Sequence, residues 1–246
     1  MSKMIKKIQI LTILTFIPVM LAYGEEKPYI MESDDNKIEG EDISADEDGN
    51  IKLTREGGAS QTFRRGRYEY AFTPKPGEVE ELEKALENEN YDKILDQASD
   101  VFDDYKYLGW AAVIGAIESE AYLADDDPEQ ALRTIDYAEK FAQLHTARLR
   151  EVKAKALLAA GDLKEAEEVA QKLKKDDDDE RAAFAFNVTG DILQEQGKER
   201  EAVLEYLKTL LVVAPQEDQR AHQEAREKVI ALMKKLGDDR YKQFEN

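Results

Sequence analysis

The sequence contains no cysteine and only two histidines among its 246 residues. The absence of cysteine excludes disulfide bonds, thiolate catalysis and cysteine-ligated zinc. His145 falls at a predicted turn between helices and His222 on a charged helix, and neither belongs to a motif with an acid or a nucleophile. A glycine-rich phosphate loop, a serine elbow and a paired-histidine metal motif are also lacking. We therefore expect both histidines on the surface, no catalytic residues, no cofactor, and a protein that is not an enzyme.

Basic residues are outnumbered: 35 Lys and Arg stand against 54 Asp and Glu, which gives a formal net charge of −19. Such an excess of negative charge repels nucleic acid phosphates and anionic lipid headgroups, and favours a neutral or basic partner. Arg64, Arg65 and Arg67 lie among aromatic residues, a combination that can bind nucleic acid. In a chain this acidic we expect them to pair with the acidic N-terminal residues or the helices, and we predict no nucleic acid partner.

The acidic clusters do not match a calcium-binding loop. Residues 46–50 carry Asp, Asp and Asn at alternate positions, but such a loop needs glycine at its sixth position and an acid at its twelfth. Ile51 and Gly57 occupy those two positions. Helix capping explains the acid runs at 125–127 and 176–179, with weak calcium binding there as the alternative. We predict no metal site.

Residues 1–24 have the features of a secretory signal peptide. Three lysines precede an apolar run from Ile8 to Ala22, which is shorter than the roughly 20 residues needed to span a bilayer. Small residues at Ala22 and Gly24 predict cleavage between Gly24 and Glu25, which would change the charge from −19 to −22 by removing three lysines. We expect an exported protein, periplasmic or secreted from a bacterium because the segment starts with lysines only, with no membrane span after cleavage. An uncleaved anchor is the alternative.

Two segments precede the helical part of the chain. Residues 25–36 are acidic and polar, which predicts a flexible leader. Residues 37–72 carry β-branched and aromatic residues, with hairpin-type turn signals at 48–49 and 57–58, and predict a small antiparallel β-meander of three or four short strands. About 35 residues cannot hold a stable core alone, so the meander should dock on the first helices or on a partner. Two prolines and a glycine mark a boundary at 73–77.

The rest of the chain indicates helices. Apolar spacing and capping residues predict helices over residues 77–88, 91–105, 107–125, 128–142, 144–160, 163–175, 179–196 and 198–213. A last helix over 216–236 has a single apolar stripe, which suits a terminal cap with one face on its neighbours and the rest in water. Residues 237–246 are expected to be frayed.

Small and bulky residues recur at fixed offsets within residues 78–215. In the last copy, Gly190 would let two helices approach, and Gly197 would end a helix in the left-handed conformation. Tyr206 would fill the gap that small Gly190 and Ala202 leave. Measured at the third position, the copies are 37, 35 and 36 residues apart. The upstream copies are Ala154, Gly161, Ala166 and Ala170; Ser119, Asp126, Ala131 and Ile135; and, in degenerate form, Leu82, Glu89, Ile94 and Ala98.

These offsets resemble the tetratricopeptide repeat, a helix–turn–helix unit of about 34 residues. The resemblance implies a mainly α fold: a short α-solenoid of helix hairpins with a C-terminal capping helix, preceded by the β-meander. A bundle of alanine-rich helices is the alternative. In the family, the first helix of each repeat lines a concave groove that holds a peptide or a partner helix. By position, the resemblance assigns to this groove Val113, Ala116, Glu120, Leu123, Arg148, Glu151, Lys155, Leu158, Phe184, Asn187, Asp191 and Gln194.

The resemblance predicts an exported, non-enzymatic protein–protein interaction scaffold that binds a segment of a protein or peptide partner in this groove. The acids Glu120, Glu151 and Asp191 depart from the largely basic and amide groove of the family's carboxylate-clamp variety. The alternative is a structural or assembly subunit of a bacterial envelope complex, which would use the ends of the solenoid and the β-meander. The aromatic group at 105–110 is predicted to crowd the joint between the first two repeats, either as buried packing or as a partner-binding patch.

Overall fold

A computed structural model gives the fold, and it describes residues 26–33, 36–175, 179–214 and 219–245. This part of the chain is mainly helical, with a small antiparallel β region at its N-terminal end, as the sequence predicts. The expected signal segment, residues 1–24, lies outside the described residues. None of the described helices is long and apolar enough to cross a membrane.

The β region consists of two three-stranded antiparallel sheets. In the first, Tyr29–Met31 lies between Lys37–Glu39 and Tyr70–Phe72, and in the second, Ile51–Thr54 lies between Asp42–Ala45 and Ser60–Phe63. The second sheet is a meander whose turns contain Gly49, Gly57 and Gly58, all at positive φ, as the turn signals predict. Ile30, Ile51 and other apolar residues of both sheets form one small core. The strands are β1 (Tyr29–Met31), β2 (Lys37–Glu39), β3 (Asp42–Ala45), β4 (Ile51–Thr54), β5 (Ser60–Phe63) and β6 (Tyr70–Phe72).

The expectation of a flexible leader over 25–36 is wrong where the structure describes this segment. Tyr29–Met31 is the central strand of the first sheet, and Ile30 is fully buried. This strand pairs with Tyr70–Phe72, and the composition of residues 25–36 does not indicate this pairing. Three apolar residues between acidic flanks are too few to show a period, so the strand is defined by its two partners, the nearby Lys37–Glu39 and the distant Tyr70–Phe72. Residues 37–72 also hold five strands rather than three or four.

Nine α-helices follow in the described part of the chain. They are α1 (Gly77–Glu87), α2 (Tyr91–Tyr105), α3 (Ala111–Ala124), α4 (Pro128–Ala138), α5 (Thr146–Ala160), α6 (Leu163–Leu173), α7 (Asp179–Glu195), α8 (Glu199–Val212) and α9 (Gln219–Lys235). The predicted start of α3 at 107 is wrong because Gly109 has φ of 92° and breaks the chain direction before Ala111. The tail expected to fray contains a 3-10 helix, Asp239–Phe244, whose Tyr241 and Phe244 pack on the cluster between α8 and α9.

The turns after α1, α3, α5 and α7 share one geometry at the predicted turn positions. Glu89, Asp126, Gly161 and Gly197 have φ of 54°, 60°, 84° and 71°. The amide of the following residue donates to a carbonyl five residues back, at 2.8 to 2.9 Å, which is the Schellman ending of a helix. The pairs are Asn90 to Ala85, Asp127 to Tyr122, Asp162 to Leu157 and Lys198 to Leu193. Each odd-numbered helix therefore turns back in the same way into the next helix.

Close packing of α7 on α8 depends on Gly190. A Cβ atom at this position would lie 2.4 Å from Cε1 of Tyr206, whose side chain is fully buried. The predicted filling of the space beside Gly190 by Tyr206 is confirmed. In the equivalent place on α3, Ser119 Oγ donates to the carbonyls of Gly115, at 2.6 Å, and Ala131, at 3.2 Å. Besides these pairs, α3 contacts α5, α5 contacts α7, and α7 contacts α9.

The β region docks on the first helices through aromatic residues. Trp110 is buried, its Nε1 donates to the carbonyl of Thr73 at 2.9 Å, and its ring lies 6.2 Å from that of Phe72. The packing interpretation therefore holds for Trp110. Arg65 was expected to pair with an acid, but it donates instead to the hydroxyl of Tyr107 at 3.2 Å and stacks on that ring. This contact ties the second sheet to the segment between α2 and α3.

The two histidines differ from each other. His145 lies at the turn before α5, as predicted, is exposed, and stacks on Trp110 with ring centroids 5.4 Å apart. His222 was expected on the surface, but it is 7% exposed and its Nε2 lies 2.9 Å from the carbonyl oxygen of Val213. The burial arises because α9 packs back on the end of α8, which the charge pattern of α9 does not reveal.

Candidate functional site

Six of the twelve groove residues assigned from the sequence line one cavity of about 520 Å³. It lies where α5 and α7 face the start of α9, with one residue from α3. Arg148, Glu151 and Lys155 share one face of α5 because they are three and four residues apart. The six residues are Glu120, Arg148, Glu151, Lys155, Phe184 and Asn187. We call this space the groove cavity.

The two cations of α5 in the groove cavity have different surroundings. Arg148 Nε donates to Glu120 Oε1 at 3.2 Å, which links α5 to α3. Lys155 is exposed, and its Nζ lies 5.2 Å from the ring centroid of Phe184 on α7. In the described part of the chain no carboxylate forms an ion pair with Lys155, so its ammonium group can bind an incoming acceptor.

The other wall of the groove cavity comes from α9, which the sequence assigned only to capping. Asn187 is 3% exposed, and its Nδ2 donates to the carbonyl of Ala221 at 2.9 Å. Its Oδ1 accepts from Thr209 Oγ1 at 2.8 Å, so one buried amide joins α7, α8 and α9. Arg220 and Glu224 thereby come to face α5. The buried Asn187 is therefore a positioning residue of the cavity wall rather than an exposed contact.

The groove cavity is locally more basic than the chain as a whole. Its lining holds four cations and three acids, although the chain carries −19. The cations are Arg148, Lys155, Arg181 and Arg220, and the acids are Glu120, Glu151 and Glu224. Low-dielectric walls focus the field of such charges on whatever enters the cavity. The arrangement suits a ligand that presents oxygen acceptors.

The remaining six groove residues lie outside the cavity. Val113 and Ala116 are buried in the core around α3, so they cannot contact a partner in this conformation. Leu123 and Leu158 pack partly buried against neighbouring clusters, and Gln194 is exposed near the end of α7. The repeat offsets select residues by their position in each helix, but they do not say which of those positions the neighbouring helices cover.

Asp191, the last of the six groove residues outside the cavity, forms bonds with other residues of the protein. It accepts from the Tyr206 hydroxyl at 2.6 Å and from Lys228 Nζ at 2.5 Å. Burial, and then the hydrogen bond to Asp191, raise the pKa of Tyr206. Burial alone would lower the pKa of Lys228, but Asp191 and Glu224 outweigh it and the pKa is raised. This network fixes α9 on the α7–α8 pair.

Five further residues line the groove cavity that the repeat offsets did not include. Ala147 lies four residues before Glu151, and Arg181 lies three before Phe184, so helical periodicity could have found them. Arg220, Ala221 and Glu224 belong to α9, outside every repeat, and no local signal places them here. Among the described residues, no group of three or more histidine or acidic side chains is placed to hold a metal ion.

Comparisons of the chain with protein-family models, with curated proteins and with solved structures found no match. The assignment of the groove cavity therefore rests on the repeat offsets and on the geometry described above.

Proposed function

We propose that the protein is a non-enzymatic interaction protein that holds a segment of a partner protein in the groove cavity. The observation that carries this proposal is that six groove residues, assigned from the sequence alone, line one cavity of about 520 Å³. The ammonium group of Lys155, which no carboxylate of the described residues pairs with, and the exposed Arg220 favour a segment that presents carboxylates or backbone carbonyls.

The repeated turns support a solenoid arrangement in which successive hairpins build this groove. The Schellman endings after α1, α3, α5 and α7 occur at steps of 37, 35 and 36 residues, and each odd-numbered helix contacts the next odd-numbered one. A stack of equivalent hairpins presents the same helix face repeatedly, which produces an extended binding surface. The basic and apolar segment over residues 1–24 supports export, so the partner would be met in the periplasm or outside the cell.

Charge reversal tests the proposal. The double variant Lys155→Glu with Arg220→Glu should lose partner binding while the circular dichroism spectrum and melting temperature stay unchanged, because both side chains are exposed. The matched control is Lys172→Glu with Arg226→Glu, which makes the same charge change at exposed positions outside the groove cavity. Arg148 is left intact because its reversal would place two carboxylates together at Glu120. Equal binding by both double variants would contradict the proposal.

The absence of cysteine permits site-specific crosslinking to identify the partner. A single Lys155→Cys variant, labelled with a photoreactive benzophenone, should crosslink one protein in an envelope extract, and the product can be identified by mass spectrometry. The same label at Lys172→Cys, on α6, is the control. Crosslinking by the label at position 172 but not at position 155 would place the interaction surface outside the groove cavity.

A second candidate function, a subunit of a larger assembly, is favoured by exposed apolar residues on α8. Leu204, Leu211 and Val212 are 61%, 76% and 70% exposed. Large exposed apolar side chains that form a patch mark interfaces in many proteins. If these residues mediate assembly, sedimentation velocity should show a concentration-dependent oligomer that the double variant Leu204→Ser with Leu211→Ser abolishes. A monomer at all concentrations would leave the groove as the interaction surface.

A further inference from the structure

A second cavity, of about 270 Å³, lies on another surface of the helices, between α2, α3 and α4. It shares no lining residue with the groove cavity. Glu118 belongs to it, whereas Glu120, two residues further on, lines the groove cavity; two residues correspond to about 200° around an α-helix. The lining residues are Ser99, Phe102, Asp103, Glu118, Gln130, Arg133, Thr134 and Tyr137. We call this space the Glu118 cavity.

The carboxylate of Glu118 is half-buried, yet no described side chain forms an ion pair or a hydrogen bond with it. The other charged residues of the cavity are already engaged. Asp103 Oδ1 binds Lys106 Nζ at 2.5 Å, and Arg133 Nε donates to Gln130 Oε1 at 2.8 Å. Burial raises the pKa of Glu118, because nothing nearby compensates for the lost hydration of its charge. A charged group that is buried without a partner lowers the stability of the fold, and such groups are common in ligand-binding sites.

Aromatic rings stand beside this carboxylate. Phe102 and Tyr137 line the cavity with ring centroids 5.4 Å apart, and Tyr137 is 46% exposed. The ammonium of Lys140 already lies 5.4 Å from the Tyr137 ring centroid, so a cation is compatible with this ring. Aromatic faces attract cations, and they also pack well against the methylene chain of a lysine. An acid and two rings around a small open cavity are complementary to one alkylammonium group.

We propose that the Glu118 cavity binds a lysine side chain presented by a basic segment of a partner protein. The Glu118 carboxylate accepts hydrogen bonds from the ammonium group, and Phe102 and Tyr137 contact the methylene chain. The net charge of −19 attracts a basic segment at long range, which fits this choice of partner. This surface is separate from the groove cavity, so the two can be occupied at the same time.

The test uses the whole protein and a fluorescein-labelled ten-residue peptide of alternating Lys and Gly, followed by fluorescence anisotropy. Glu118→Gln should weaken binding at least tenfold. The control, Glu167→Gln on α6, removes one exposed charge outside the Glu118 cavity and should change binding less than twofold. The fully acetylated peptide, which has no ammonium groups, should not bind. Equal effects of the two variants would show a general attraction to an acidic chain and would overturn the proposal.

Stability provides an independent readout. If the carboxylate of Glu118 stabilised the fold, its replacement by an amide should lower the melting temperature. If the carboxylate is buried without a partner, the replacement should leave the melting temperature at pH 7 unchanged or raise it. Loss of stability in Glu118→Gln would therefore overturn the proposal. A second variant, Tyr137→Leu, keeps the carboxylate and should weaken peptide binding several-fold. Displacement of the peptide by n-butylammonium at an equal concentration would assign the cavity to free amines and overturn the choice of a protein segment.

Discussion

Replacement of Gly190 by alanine isolates the close contact between α7 and α8. The added Cβ would lie 2.4 Å from Cε1 and 2.6 Å from Cζ of Tyr206, whose hydroxyl is fixed by Asp191. Overpacking of this kind costs about 1–3 kcal/mol, and displacement of the ring would add about 1 kcal/mol for a weakened hydrogen bond. Alanine offsets about 1 kcal/mol through its better helix propensity. We expect a net loss of about 2 kcal/mol in the free energy of unfolding.

Thermal unfolding measures this loss as a decrease in melting temperature of about 4–8 °C for a chain of this length. The control is Gly77→Ala at the start of α1, where the new Cβ would have no neighbour within 4 Å; its effect should stay within about ±0.5 kcal/mol. In a Tyr206→Leu background, Gly190→Ala should be nearly neutral because the ring is gone. An equal penalty with and without the Tyr206 ring would refute the reasoning.

Three further predictions address other parts of the molecule. Trp110→Phe should lower the free energy of unfolding by about 1–3 kcal/mol in urea denaturation, because it leaves the partly buried carbonyl of Thr73 without this donor. The stability of Glu118→Gln relative to the parent protein should increase as pH rises from about 4 towards 7, because burial raises the pKa of Glu118 in the folded state and ionisation of the buried carboxyl destabilises the parent alone. The titratable and charged neighbours are Asp103, Arg133, Tyr122 and Tyr137, and parallel stability–pH profiles of the two proteins would contradict this prediction. N-terminal sequencing of the protein purified from its native host should start at Glu25 or within a few residues of it, and a product that retains Met1 in the membrane fraction would contradict cleavage.

The positions of the helices could be predicted from the sequence because the signals that specify a helix are local. Asp127 accepts from the amide of Gln130 at 2.9 Å as the capping pattern predicts, and Pro128 opens the same helix. The turn positions after four helices were also found in advance, even where Glu89 and Asp126 replace glycine. A recurring offset reveals these non-glycine turns, which residue type alone would hide.

The strands were less predictable because a strand is defined by its partner. Ile51 and Leu53 alternate with polar residues, and their hairpins are short, so the second sheet could be found from the sequence. Tyr29–Met31 is ordered between two partners, Lys37–Glu39 and the strand Tyr70–Phe72 about 40 residues later in the chain, and its acidic neighbours suggested a leader instead. Local composition reports the solubility of a segment, whereas pairing decides whether it is ordered.

The candidate site shows the same division between local and long-range information. The period of the helix placed Arg148, Glu151 and Lys155 on one face of α5 from the sequence alone. Only the tertiary structure showed that α9 closes the cavity with Arg220 and Glu224, because the buried amide of Asn187 holds α9 in place through contacts 22 and 34 residues away. Likewise, the solitary carboxylate of Glu118 became visible only when its neighbours were known. Helix formation and turns depend on interactions within a few residues, whereas cavities and uncompensated charges depend on which distant side chains are present and which are missing.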